Sequence, residues 1–275
     1  MKAWVNGRVV DEDEPWIRLT DHGFSVGDGV FETLKTIDGE AFALSAHVDR
    51  LVRSATGLGL VAPDPGVVRS AVLKTCEVNR ASLVPEGRIR ITYTSGPGPL
   101  GSDRGPGPAT LAVTAQAAKP WPATTSVALA PWPRNERSAL AGLKTTSYGG
   151  NAVALAWAKE RGHSEALLEN LRGDLCEGTG SNVFVVLSGL TVTPPLSSGC
   201  LAGITRQLVI NWCGVVERSL PRAVLDEADE VFITSSTRDV HPVARVGDRL
   251  LAAPGPVTVE CARTFTALAA ANLDP

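Results

Sequence analysis

LAGLKTTSYGGN, residues 140–151, places Lys144 between an apolar stretch and a polar, glycine-containing stretch that opens a helix. Partly apolar surroundings disfavour the charged form of an amine. A neutral amine is what Schiff-base chemistry needs. An exposed loop also carries lysines, so the segment by itself leaves both readings open. The flanking sequence decides between them.

Downstream, LCEGTGSNVFVV (residues 175–186) sets Glu177 before a tight turn and Asn182 before an apolar strand. A carboxylate there can pair with a buried cationic ring nitrogen, or stand solvated on the turn. GCLAGITRQL (residues 199–208) reads as a loop feeding a helix that starts at Ile204 and Thr205. Free backbone N–H groups and the helix dipole at such a start favour a phosphate, although ordinary capping by threonine gives the same pattern. TSSTRDVHPV (residues 234–243) places hydroxyl residues, Ser235 and Ser236 among them, directly after the strand VFI. They suit the same anion, or a plain strand-to-loop transition. No Walker loop or G-x-G-x-x-G accompanies these patterns.

Upstream, Asn6-Gly7 reads as a hairpin turn and Val30–Ile37 as a strand that turns at Asp38-Gly39. Ser45 is the expected N-cap of a helix through Val48, Leu51, Val52 and Ala55 that stops near Gly57 or Gly59. Asp64-Pro65 starts a second helix. Arg88–Thr94 and Thr110–Gln116 read as strands around a Gly/Pro-rich loop, residues 95–108. Later elements are strands near 165–168, 183–187 and 230–234, and helices after Lys144, near 204–212 and from about Val257. This order is not the regular alternation of a dinucleotide-binding fold. The expected class is α+β (mixed α/β), with an N-terminal domain over 1–117, a Pro-containing linker over 118–123 and a larger domain over 124–275 that carries Lys144.

The 275 residues are 44% hydrophobic and 20% charged, with net charge -3, so no basic field argues for nucleic acid or an anionic membrane. No apolar run reaches the ~18 residues of a membrane span, and the N-terminus lacks the apolar core of a signal peptide. A cytoplasmic location is expected. Five scattered cysteines without C-x-x-C, and four histidines without H-E-x-x-H, argue against a metal site and for buried, reduced thiols.

GDGVFETLKTIDG (27–39), AHVDRL (46–51), LAGLK (140–144), EGTGSNVF (177–184), LAGITR (201–206) and TSSTRDVHPV (234–243) follow one another in an order that resembles the class IV aminotransferases, the fold type IV pyridoxal-phosphate enzymes. That family includes branched-chain aminotransferase, D-amino acid aminotransferase and aminodeoxychorismate lyase. The resemblance implies two α/β domains with pyridoxal 5'-phosphate between them, and a homodimer. It implies that Lys144 carries the cofactor and moves the substrate proton. Glu177 would pair with the ring nitrogen, which keeps the ring an electron sink. Arg50 would hold the phosphate bidentately, with Ile204, Thr205, Ser235 and Ser236 as further donors. Leu201 would pack on the ring face, and Tyr148 would line the pocket.

The substrate side is more open. The R-x-H pattern of D-amino acid enzymes is absent from YTSGPGPLGSDRG, which only partly matches the lyase type, whereas LAGLK matches the lyase type closely. Arg88, Arg90, Thr92 and Thr94 share one strand face by alternation. Arg90 is the first candidate for a substrate carboxylate, Arg104 the second, and Phe31 a further pocket residue. Arg90 on an exposed edge strand would have no such role. The expected reaction is transfer of an amino group from a branched-chain L- or a D-amino acid to a 2-oxo acid. The alternative is aminodeoxychorismate cleavage to 4-aminobenzoate and pyruvate.

Overall fold

A computed structural model describes residues 1–275, which form two compact units. The first comprises Met1–Lys119, Leu143–Tyr148 and Asn272–Pro275, and the second Pro120–Gly142 and Gly149–Ala271. Helices and strands mix in both, as the sequence pattern predicts.

In the first unit, β1 (Lys2–Val5) and β2 (Arg8–Asp11) form the hairpin predicted at Asn6-Gly7. Then come α1 (His22–Ser25), β3 (Gly29–Ile37), β4 (Glu40–Ala41), α2 (Leu44–Gly57), α3 (Pro65–Asn79), β5 (Glu86–Thr94) and β6 (Thr110–Ala117). The sheet order is β2-β1-β6-β5-β3-β4, antiparallel throughout. Strand β5 alternates as read: Ile89 and Ile91 are fully buried, while Arg88, Arg90 and Thr92 are half-buried on the other face. It is an interior strand, which removes the edge-strand reading of Arg90. The buried isoleucines pack with Leu34 of β3, Leu51 and Ala55 of α2, and Val68 and Val72 of α3.

Asp64 caps α3 through the Val67 N–H at 2.9 Å, with Pro65 in the first turn. The expected cap of α2 is corrected. Ala43, in the left-handed region at φ 54, precedes the helix, and Ser45 lies within it. Asp274 accepts both the Ser45 N–H (2.8 Å) and the Ser45 hydroxyl (2.5 Å). The acceptor comes from the chain's far end, which no local pattern records.

Lys144 groups with this first unit, not with the C-terminal half where sequence order placed it. Strand β4 pairs only with Thr36 and Ile37, so the start of β3 needs partners for its outer edge. Residues 144–146 supply them: Phe31 N–H donates to Lys144 O (2.9 Å), and Thr146 N–H donates to Gly29 O (2.8 Å).

The second unit holds β7 (Thr125–Leu129), α4 (Gly149–Glu160), β8 (Glu165–Glu169), β9 (Leu175–Gly178), β10 (Asn182–Leu187), β11 (Leu190–Thr193) and α5 (Ile204–Cys213). After these come β12 (Val216–Glu217), α6 (Val224–Glu227), β13 (Glu230–Ser235), β14 (Asp239–Val246), β15 (Arg249–Leu250) and α7 (Pro256–Ala271). The mixed sheet runs β12-β11-β10-β13-β14-β7-β8-β9, with β15 on β14. Val127, Leu167, Val183, Val185, Ile233 and Val243 form its core. Strands β10 and β13 read correctly because they are apolar runs; β9, β12 and β15 are too short to show a period. No helix is long and apolar enough to cross a membrane.

Candidate active site

In the first unit the lysine segment is held from two sides. Its main chain pairs with β3, and the Lys144 N–H donates to Ser54 Oγ of α2 at 3.2 Å. The side chain crosses Phe31, with Nζ 4.3 Å from the ring centroid. Arg90 lies on the same ring, its Cζ at 3.6 Å, and Tyr148 meets it edge-on at 5.2 Å. The register explains the meeting: Thr33 faces Arg90 across the β3–β5 ladder, which puts Phe31 on the diagonal. Burial lowers the Arg90 pKa from its ordinary value, as expected of a cation with few polar neighbours. Lysine amine, arginine and two aromatic rings thus form one cluster.

Arg50 sits one helical turn from Ser54 on α2, so the helix brings it to the same end of the unit as Lys144. Its Nε and Nη2 donate to Glu32 at 2.7 and 2.6 Å, and His47 Nδ1 lies 2.7 Å from the same carboxylate. All three residues are buried. Burial alone would raise the Glu32 pKa; the Arg50 charge and then His47 outweigh it and hold the carboxyl well below its ordinary value. His47 is itself lowered, mainly by burial. Glu32→Gln leaves the Arg50 cation without its buried counter-charge and should cost about 3–5 kcal/mol in urea unfolding. The sign in pH follows from the depressed carboxyl. The Glu32 contribution is present above the ordinary Glu value of 4.5 and is lost as pH falls below it, and Glu32→Gln should lack that acid-dependent part.

Arg104 serves another purpose. Its Nε and Nη2 donate to Asp28, both at 2.8 Å, and its Nη1 and Nη2 to the carbonyls of Gly59 and Leu58. The Gly/Pro loop is thereby tied to the end of α2.

In the second unit Glu177, on β9, is gripped at both oxygens. Arg134 Nε lies 3.1 Å from Oε1, and the Leu201 N–H donates to Oε2 at 2.9 Å. Arg134 is a positioning residue, itself held by Asn151 Oδ1 at 3.2 Å and by its N–H to Glu169 O at 2.7 Å. Two residues beyond Leu201, α5 begins at Ile204 and Thr205 with no side-chain cap. The preceding Gly203 is required there, since a Cβ would stand 2.0 Å from Asn182 Oδ1. Asn182 joins the motifs: its Nδ2 donates to Leu201 O at 3.0 Å, and its backbone pairs with Thr234 of β13. The Thr234 hydroxyl is buried without a hydrogen-bond partner. It opens the hydroxyl run through Ser235 and Ser236, and the Arg238 N–H closes that turn on Ser235 O at 3.1 Å. Arg238 is anchored 3.3 Å from the buried Glu165 and stacks on Trp121 at 4.2 Å.

The second unit therefore gathers Glu177, Leu201, Ile204, Thr205, Ser235 and Ser236, and the first gathers Lys144, Arg50, Phe31, Arg90 and Tyr148. Sequence reasoning missed Glu32, Arg134, Thr234 and Arg238. A signal existed for Glu32, the one acid inside the otherwise buried strand GVFETL, because a carboxylate there needs a basic partner.

The pattern of the family described as Amino-transferase class IV matches residues 29–246. A putative branched-chain-amino-acid aminotransferase of Methanocaldococcus jannaschii is 34% identical, over 91% of this chain and 90% of its own length. The D-alanine aminotransferase of Bacillus licheniformis is 30% identical, over 94% and 93% respectively. The crystal structure of branched-chain aminotransferase from Thermoproteus uzoniensis with norvaline superposes with TM-score 0.89 at 31% identity, covering 97% of this chain and 93% of that one.

Proposed function

We propose, on the premise that the chain belongs to the class IV aminotransferases, that it transfers an amino group from an amino acid to a 2-oxo acid with pyridoxal 5'-phosphate. One observation carries most weight: the segment Leu201–Thr205 fixes the Glu177 carboxylate at one end and opens an uncapped helix at the other. Those are the two polar ends of a pyridinium phosphate, brought together by one loop. The buried Thr234 hydroxyl adds a donor lacking a protein partner beside that helix start. The residues present therefore fit the cofactor.

When bound, the cofactor supplies a ring that takes up the negative charge left as the substrate Cα loses its proton. Lys144 Nζ carries the cofactor at rest and then accepts and returns that Cα proton. Glu177 holds the proton on the ring nitrogen, and Arg134 holds Glu177 in place. The N–H groups of Ile204 and Thr205, the hydroxyls of Ser235 and Ser236, and the Arg50 guanidinium bind the phosphate. Leu201 covers a ring face. Arg90 receives the substrate carboxylate, with Phe31 and Tyr148 as the pocket wall. This reading takes the chain as a cytoplasmic homodimer, and the strongly exposed Leu19, Phe24 and Leu100 supply apolar surface for a second copy.

Arg90→Leu removes a charge-assisted contact worth ~1.5–3 kcal/mol, so KM for carboxylate substrates should rise about tenfold or more. An unchanged KM would take Arg90 out of the site. The reaction class is tested by mixing the loaded protein with single L- and D-amino acids and no acceptor. Stoichiometric release of the matching 2-oxo acid supports the reading and names the preferred enantiomer and side chain. No release from any amino acid, together with pyruvate from aminodeoxychorismate, would replace it with the lyase reaction.

A further inference from the structure

All five cysteines are free, and Cys76, Cys176 and Cys200 are buried, with thiol pKa values pushed up by burial. Cys213 and Cys261 differ from these three. Cys213 ends α5 and is half-exposed, and Cys261 lies buried in α7. Their sulfurs are 2.9 Å apart, with the Cys261 thiol donating to Cys213. A cleft of about 460 Å³, lined by both cysteines and by Trp212 and Glu260, gives a small oxidant room beside them.

We infer that Cys213 and Cys261 form a reversible disulfide on exposure to a peroxide, stapling α5 to α7. Cys213 is the more accessible sulfur, and the hydrogen bond from Cys261 holds its thiol below the ordinary value, so it reacts first. Its thiolate attacks one peroxide oxygen. The O–O bond breaks, hydroxide leaves and takes up the displaced thiol proton as water, and Cys213 becomes a sulfenic acid. The Cys261 sulfur then attacks the Cys213 sulfur. The S–O bond breaks, the hydroxyl leaves with the Cys261 proton as a second water, and the S–S bond forms. The thiols lose two electrons and the peroxide gains them. The staple ties down the helix that starts at Ile204 and Thr205, and it stands independently of the proposed reaction.

The test treats the purified full-length protein with hydrogen peroxide, alkylates it and digests it without reduction. The expected result is a peptide pair joined through Cys213 and Cys261 and cleaved by dithiothreitol. Closing a loop across a separation of 48 residues should also raise Tm by about 5 °C or more over the reduced form. Cys213→Ser alters a half-exposed side chain and should abolish both effects, as should Cys261→Ser. Separate alkylation of both cysteines after peroxide treatment would overturn the proposal, as would sulfinic acid at Cys213 or a cross-link to Cys76, Cys176 or Cys200.

Discussion

Lys144→Ala yields a folded protein that lacks the visible absorption band of a lysine-bound cofactor and turns over about ten-thousand-fold more slowly than the parent. Two losses coincide in this variant, because Nζ both carries the cofactor and moves the Cα proton. The fold should survive. The groups that hold the segment are the main-chain bonds of Lys144 and Thr146 to β3 and the Lys144 N–H to Ser54, and none of them involves the side chain. What the fold loses is the Nζ contact with the Phe31 ring, a partly exposed cation–π interaction of about 0.5–1 kcal/mol. A circular dichroism spectrum and Tm close to the parent's, with absorbance and activity gone, separate chemistry from folding. An unchanged absorption band would remove Lys144 from its role.

The second large effect is expected at Glu177. Glu177→Gln keeps the size of the side chain and removes the charge that holds a proton on the ring nitrogen. Loss of such fixed electrostatic stabilisation should lower kcat by about a hundred- to a thousand-fold, with a much smaller change in KM. Arg134 and the Leu201 N–H face this position at 3.1 and 2.9 Å, so the neutral amide also leaves Arg134 without its anion. Stability should therefore fall as well, and the rate must be compared at a temperature where both proteins are folded. A kcat within threefold of the parent would show that no ring nitrogen depends on Glu177.

Much of this site was legible in sequence because its chemistry sits in short local motifs. The loop that starts a helix at Ile204 and the hydroxyl run after β13 each combine the reactive group and its backbone setting within a few residues. The alternation that put Arg90 and Thr92 on one face of β5 was legible for the same reason. What escaped is what the chain assembles from a distance. Glu32 meets Arg50 across separate elements, and Asp274 reaches Ser45 from the opposite end of the sequence. Residues 144–146 return to the edge of β3, which sequence order alone assigned to the other half of the chain. Arg134 belongs to no motif, and only the partners it finds reveal its role. Phe31 was a pocket candidate, but its contact with both Lys144 and Arg90 depends on the β3–β5 register, and register is a property of pairing, not of either strand.

The central claim is that Lys144 carries the cofactor and gives it up to an amino donor. Borohydride reduction followed by peptide mapping tests both halves of it. The chain offers lysines at 2, 35, 74, 119, 144 and 159, so the label can discriminate. The account predicts a reduced pyridoxyl adduct on the peptide containing Lys144 in the resting protein. It predicts that the adduct is absent when the protein is first incubated with its preferred amino acid. An adduct on any other lysine, or one on Lys144 that persists after every amino donor, would contradict it.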